Sequence, residues 1–418
     1  MTTTSLPTVK SGFIALYALG YVGSYIALIT PVAATLAIKV ADLDPTNKAA
    51  SLGAIAAIGA FVAIISNALV GALSDRTRSA LGRRRPWIIG GALGGIVGLT
   101  IVGFAPTLVV ATIGWILAQL TLNMVLAALQ ALLPDQVPLE QRGRVSAVLG
   151  ISQQVSPLLG IGIAYGVQAA GGGIGLMFLI PGLVGAALMV LLALRIKDVP
   201  HESLGAFSFG DFIRSFSIAQ GKRYDYGWAW FGRFFVILGF AVYTTYQPYY
   251  IADRLGVSKD QVLLQQLIAL LIFSAVLTVS AIISGRISDR TGRRKPFVFA
   301  SAAIVGLGLT MLALASTLPV FYVAAAVMGV GIGAYFAIDL ALITDVLPDR
   351  ENKAAKDLGI FNIANSLPQS VAPAIAPLFL LIGTGGDPTA ANYTALFLAG
   401  AVFAVIGALL IAPIRAVK

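Results

Sequence analysis

The sequence predicts an all-α integral membrane protein of twelve transmembrane helices in two pseudo-symmetric six-helix bundles. Three observations carry that prediction. The 418 residues are 58% hydrophobic and 11% charged with a mean hydropathy of +0.90, more apolar surface than a soluble globular chain buries. Apolar runs recur along the whole chain at the length a bilayer core demands, about 20 residues for about 30 Å. A basic cassette occurs twice, GALSDRTRSALGRRRPW at Gly71 to Trp87 and GRISDRTGRRKPF at Gly285 to Phe297, each closing one apolar run and opening the next.

The first run, 11 to 38, follows only MTTTSLPTVK without a small-residue cleavage site, so it is expected to be a retained span carrying Tyr21 and Tyr25. The second, 49 to 74, ends on the first cassette, and the third occupies 87 to 104. The fourth, 107 to 133, carries Gln119, Asn123 and Gln130 on one helical face. The fifth, 144 to 170, holds Gln153, Gln154 and Pro157, and the sixth, 174 to 196, completes the first half. In the second half, the seventh run, 227 to 253, holds Arg233, Tyr243, Tyr246, Gln247 and Pro248, with Tyr249 and Tyr250 expected in an interfacial belt. The eighth, 260 to 286, holds Gln265 and Gln266 and ends on the second cassette; the ninth occupies 297 to 315. The tenth, 319 to 346, carries Gly329, Gly331, Gly333, Tyr335 and Asp339. The eleventh, 357 to 383, carries Asn362, Asn365 and Gln369 with Pro368, Pro373 and Pro377, and the twelfth runs 393 to 414. Proline deletes a backbone donor and glycine permits close approach, so these residues are expected to bend or pack their helices.

The duplication reaches beyond the cassette. Gly71 to Thr77 matches Gly285 to Thr291 at an offset of 214, LPD at Leu133 to Asp135 matches LPD at Leu347 to Asp349 at the same offset, and GISQQVSP from Gly150 resembles GIFNIANSLP from Gly359. Two bundles follow, residues 1–197 and 227–418, joined by residues 198–226. In that linker Phe209, Phe212, Ile213 and Phe216 fall at helical spacing, the pattern of an amphipathic helix lying along the membrane.

The net charge of +10 is a topology signal rather than a nucleic-acid one. With both termini on one side, that side's tails and loops hold 23 of the 28 Lys and Arg residues, which the positive-inside rule makes cytoplasmic in a plasma membrane. Lys39, Lys48, Arg254 and Lys259 fall outside or at the outer boundary, leaving Arg233 alone within a span. There is no cysteine, the one histidine, His201, lies in the linker, and there is no HExxH or paired buried carboxylates, so enzyme chemistry, a metal site and a cofactor are not expected.

The paired cassettes resemble the signature of the major facilitator superfamily, and SDRTRSALGRRRPW, the second LPD and KDLGIFNIANSLPQ are similar to the branch of sucrose/proton symporters and glycoside, pentoside and hexuronide carriers. The resemblance implies a monomeric secondary transporter working by alternating access. It also implies that Asp75, with Arg76, Arg83 and Arg84, and Asp289, with Arg290, Arg293 and Arg294, latch the cytoplasmic gate. Physically, a carboxylate at a helix C-terminus needs cations beside it. Sodium-coupled members of the branch bind their cation on acidic residues of the first bundle, whereas helices 1 to 6 here contain no membrane-buried acid.

A charge at mid-membrane costs about 2.5–3.5 kcal/mol on insertion scales and marks function. Arg233 lies eight residues after Asp225, near which helix 7 enters, and Asp339 nine residues before Pro348, near which helix 10 exits, so both sit roughly 12–14 Å deep at 1.5 Å per residue. Their expected role is proton coupling, Asp339 as the carboxyl and Arg233 as its counter-charge, with a carboxylate-bearing solute on Arg233 as an alternative. Amides donate and accept at once, as a hydroxyl-rich solute requires. Gln119, Asn123, Gln153, Gln154, Gln247, Gln265, Gln266, Asn362, Asn365 and Gln369, with Tyr21, Tyr25, Tyr243, Tyr246 and Tyr335, are therefore candidates to bind a sugar or glycoside. The competing expectations are export of an amphipathic compound and a membrane receptor for the same solute.

Overall fold

The computed structural model describes residues 7–198, 223–346, 354–387 and 389–415, without the side chains of residues 223, 340, 341, 344–346, 354–360 and 362. His201 and the linker's apolar stripe lie outside the described residues, as does Asp349 of the second LPD. Among the described residues the regular structure is entirely helical. The elements are α1 Ser11–Leu43, α2 Lys48–Ser74, α3 Arg85–Phe104, α4 Leu108–Gln136, α5 Leu139–Ala169 and α6 Ile174–Arg195, followed by α7 Arg223–Asp253, α8 Val262–Thr291, α9 Lys295–Leu314, α10 Leu318–Val346, α11 Ala354–Leu380 and α12 Tyr393–Leu409. Ten of these are long and apolar enough to cross a membrane, Tyr393–Leu409 is a shorter apolar helix, and the chain is a multi-span membrane protein.

The chain divides into two compact units, Met1–Asp44 with Ile58–Phe209, and Pro45–Ala57 with Gly210–Lys418. In the first, α1 packs on α5 and α6, and α3 packs on α4 and α6; in the second, α7 packs on α11 and α12, and α9 on α10 and α12. The packing scheme therefore repeats six helices on. Glycine makes the crossings close. A Cβ on Gly23 of α1 would stand 2.5 Å from the Gly185 carbonyl oxygen of α6, and one on Gly239 of α7 would stand 2.5 Å from that of Gly400 of α12. Both separations lie inside van der Waals contact, so each crossing excludes a side chain. Gly98 plays the same part between α3 and α4, where a Cβ would lie 2.5 Å from the Ala118 nitrogen.

Gly329, Gly331 and Gly333, expected to let helix 10 pack closely or bend, lie in close packing contacts. Gly329 and Gly333 lie against the α8 carbonyls of Phe273 and Leu277, and Gly331 against Ser301 and Val305 of α9. The prolines of α5, α7 and α11 sit inside continuous helices. Among the described residues only Pro31, which the reading of spans passed over, stands at a change of winding, a π-helical turn at Pro31–Thr35 closed by the Leu36 N–H on the Pro31 carbonyl. Beyond that turn α1 runs on to Leu43, so Lys39, expected at the outer boundary, is a buried helical residue. Tyr249 and Tyr250, expected in an interfacial belt, are buried as well. The Tyr250 hydroxyl donates to the carbonyls of Leu312 (2.9 Å) and Ala315 (3.1 Å) at the end of α9.

Candidate functional site

The first cassette forms a buried charge network within its unit. Arg84, 2% exposed, stands at the start of α3. Its guanidinium donates to Asp75 (2.5 Å) at the end of α2, to Ser74 (2.5 Å), and to Asp135 (2.8 Å) near the end of α4. Arg83 pairs with Asp135 (2.6 Å) rather than Asp75, and Arg76 donates back to the Ala72 carbonyl (2.8 Å). Of the cations expected beside Asp75, Arg84 pairs with it and Arg83 pairs with Asp135. Asp198 adds a partner that sequence reasoning missed. Its carboxylate accepts from the backbone N–H groups of Arg84 (2.5 Å) and Arg85 (2.8 Å), capping α3 where orphan donors and the helix dipole favour an anion. The turn that brings it there needs Gly82, whose φ of +100° suits glycine and whose missing Cβ leaves room for the Asp198 carboxyl. In the second cassette Asp289, Arg290 and Arg293 are exposed and Arg294 is half-buried.

Away from the cassette, α1, α4 and α5 of the first unit carry neutral polar groups. Tyr17, Tyr21 and Tyr25 line up along α1, the first two rings edge to face at 5.4 Å and the second two stacked at 6.1 Å. The Tyr17 hydroxyl donates to the Leu129 carbonyl (2.5 Å), and the Tyr25 hydroxyl accepts from the Gln153 amide of α5. Asn123 donates to the Gln119 side chain (3.0 Å) one turn earlier on α4, so this buried pair satisfies itself. Gln130, expected on the same face, is exposed, as are Gln153 and Gln154.

The second unit holds the charged site. Arg233 Nη1 donates to Asp339 Oδ2 (2.7 Å) and Arg233 Nε donates to Asn365 Oδ1 (2.7 Å), joining α7, α10 and α11. The side chains are 11% and 4% exposed for Arg233 and Asp339. Two rings flank the cation, Phe361 with its centroid 5.2 Å from the guanidinium carbon and Phe336 at 5.9 Å. Tyr335, wholly buried one turn from Asp339, interacts with that carboxylate, although its hydroxyl has no hydrogen-bond partner of good geometry. Deeper along α7, Gln247 donates to the Tyr243 hydroxyl (2.6 Å) and accepts from Gln266 of α8 (3.3 Å), while the Tyr246 hydroxyl donates to the carbonyls of Ala49 (3.0 Å) and Pro373 (3.2 Å). Gln265 accepts from Tyr322, Gln369 is exposed, and the Asn362 side chain lies outside the described residues.

The structure therefore brings Arg233 and Asp339 together, adds Asn365, and commits the buried amides Gln119, Asn123, Gln247 and Gln266 largely to internal bonds. It leaves Gln153, Gln154 and Gln369 exposed. Phe361 and Phe336 were invisible to a search for polar groups; their helical spacing from Asn365 and Asp339, four and three residues, was the available signal.

Comparison with known proteins matches this architecture. The family profile of the Major Facilitator Superfamily matches residues 10–223 and 229–417. Multidrug resistance protein MdtL of Shewanella sp. (strain ANA-3) is 30% identical over 131 residues, 31% of this chain and 31% of MdtL. The general alpha-glucoside permease of Schizosaccharomyces pombe is 30% identical over 123 residues, 26% of this chain and 22% of the permease. These matches span between about a fifth and a third of the relatives' own lengths. The solved structure of the nucleoside transporter NupG superimposes with a TM-score of 0.75 at 15% identity, covering 96% of this chain and 99% of that one. With the family profile matching both halves, the chain belongs to the Major Facilitator Superfamily; it is a secondary transporter and not an enzyme.

Proposed function

We propose that this facilitator is a proton-coupled symporter that carries a neutral sugar or glycoside by alternating access of its two six-helix halves. Its termini would lie on the cytoplasmic side of the plasma membrane, and it would stand in the branch of sucrose and glycoside carriers. The observation that carries this reading is the buried Arg233–Asp339 pair at 2.7 Å. A carboxylate beside a fixed cation holds its charge, and one whose cation moves away takes up a proton, so rearrangement of the pair during transport couples proton and solute. One proton moving with a neutral solute draws about 2.3 kcal/mol per 100 mV, enough for roughly 50-fold accumulation. A neutral, hydroxyl-bearing solute is supported by the uncharged tyrosine and amide set of α1 and α5, where Tyr25 and Gln153 offer a ring face and an amide. It is also supported by the name of the alpha-glucoside permease. Asp75 with Arg84, and Asp289 with its arginines, would latch the cytoplasmic side.

The likeness to MdtL favours a second reading, export of an amphipathic compound in exchange for protons. Proteoliposomes without a membrane potential distinguish the two. Adding a glucoside or disaccharide from a panel to one side should alkalinise that side as solute and proton leave together. Acidification of that side indicates exchange, and a signal unchanged in Asp339→Asn removes Asp339 from coupling.

A further inference from the structure

We propose that Phe361 and Asn365 are positioning residues that hold Arg233 when Asp339 is protonated, and so set the pH at which the carboxyl takes its proton; this deepens the proton-coupling reading and rests on it. Proton uptake by Asp339 removes the only charge facing Arg233 among the described residues, where Arg233 and Tyr335 are the groups that act on that carboxyl. Asp345 of α10 and Lys356 and Asp357 of α11 have side chains outside the described residues. A guanidinium stays charged at any physiological pH, so its cation must be accommodated in both states of Asp339.

The geometry points to Phe361 and Asn365. Arginine only donates hydrogen bonds, so Asn365 must turn its carbonyl oxygen toward Nε, where it sits at 2.7 Å. The Phe361 ring lies 5.2 Å from the guanidinium carbon, inside the range of attraction between a cation and an aromatic face. That ring cannot swing away easily, because it is 2% exposed and held edge-on by Tyr226, with centroids 5.7 Å apart and planes at 69°. Phe336, at 5.9 Å, adds a second face.

These contacts do not weigh equally in the two states. The negative face of the ring and the amide oxygen attract the guanidinium but repel the Asp339 carboxylate, and the two effects partly cancel while the pair is ionised. Once Asp339 is neutral only the attraction remains. The clamp therefore favours the protonated state, and its loss moves proton uptake to lower pH. A carboxylate in place of Asn365 acts in the opposite sense. It gives Arg233 a permanent partner and repels ionised Asp339, so proton uptake moves to higher pH.

The test needs no solute, only protons. In the purified full-length protein, the carboxylic acid C=O band is followed by infrared difference spectroscopy across a pH series and assigned to Asp339 by its loss in Asp339→Asn. Phe361→Leu should move the midpoint of that band to acid. Asn365→Asp should move it to alkali, its own carboxyl being separated by repeating the measurement with Asp339→Asn present. Thermal unfolding checks that both variants fold, and the opposite signs separate a clamp from general loosening of the bundle. If Asp339 titrates but neither variant shifts it, the clamp is overturned and the coupling role stands. If no titrating band belongs to Asp339, both are overturned.

Discussion

The two units share a scaffold and differ in what they bury at its centre. Both close their helix crossings with glycine pairs, Gly23 with Gly185 and Gly239 with Gly400. The first lines the α1, α4 and α5 interior with phenols and amides and keeps its buried cation, Arg84, at the helix ends of the cassette, whereas the second buries an ion pair between α7 and α10. At the repeat's offset of 214 the counterpart of Asp339 is Val125, a buried apolar residue of α4. Packing between helices is a property of shape and survives duplication in both copies. A buried charge needs partners built around it, and among the described residues the two copies place that set differently, around Arg84 at the cassette in the first and around Arg233 between α7, α10 and α11 in the second.

The largest expected effect breaks this contrast at its centre. Asp339→Leu leaves the Arg233 cation with only Asn365 and the flanking rings and should lower stability by up to about 3–5 kcal/mol, read as thermal unfolding of the purified protein in detergent. Adding Arg233→Leu should recover most of that loss; equal losses in the single and double variants would mean that the ion pair is not its source. Next comes the comparison of the two cassettes. Arg84→Ala removes charged hydrogen bonds to Asp75 and Asp135 and should cost at least about 1.5–3 kcal/mol. Arg293→Ala, at an exposed position, should stay within about 0.5 kcal/mol; similar losses for both would erase the difference between the networks.

Glycine crossings sharpen the likeness rather than the difference. Gly23→Ala and Gly239→Ala each force a methyl group against a backbone oxygen and should cost about 1–3 kcal/mol apiece. A tolerant member of the pair would show that its crossing can relax. The smallest effect concerns solute affinity. Gln153→Ala removes an amide presented beside Tyr25 and should raise KM by a factor of up to about ten while leaving the proton-to-solute ratio unchanged. A change in that ratio would give the first unit a part in coupling.

Much of this was legible before any coordinates, and the reasons are local. Hydropathy gave the spans, the cassettes at Gly71 and Gly285 gave the two halves, and the rise per residue matched the depths of Arg233 and Asp339. What failed to show was how each helix is rotated and which neighbour it meets. Tyr249 and Tyr250 looked interfacial because phenols favour headgroups, yet the end of α9 offered carbonyls that bind one of them more specifically. Asp198 looked like an ordinary loop acid until the turn at Gly82 placed the start of α3 on its carboxylate.

By itself the sequence determined that this chain crosses a membrane many times in two related halves, because hydrophobicity, helical period and residue identity are fixed along the chain. It also restricted the buried charge in its spans to a few positions, since each costs insertion energy wherever it falls. Only the tertiary structure decided that Arg233 meets Asp339 across 106 residues and Asn365 across 132, with Phe361 beneath the cation. Such contacts depend on how side chains of separate helices interlock, and no local period encodes that.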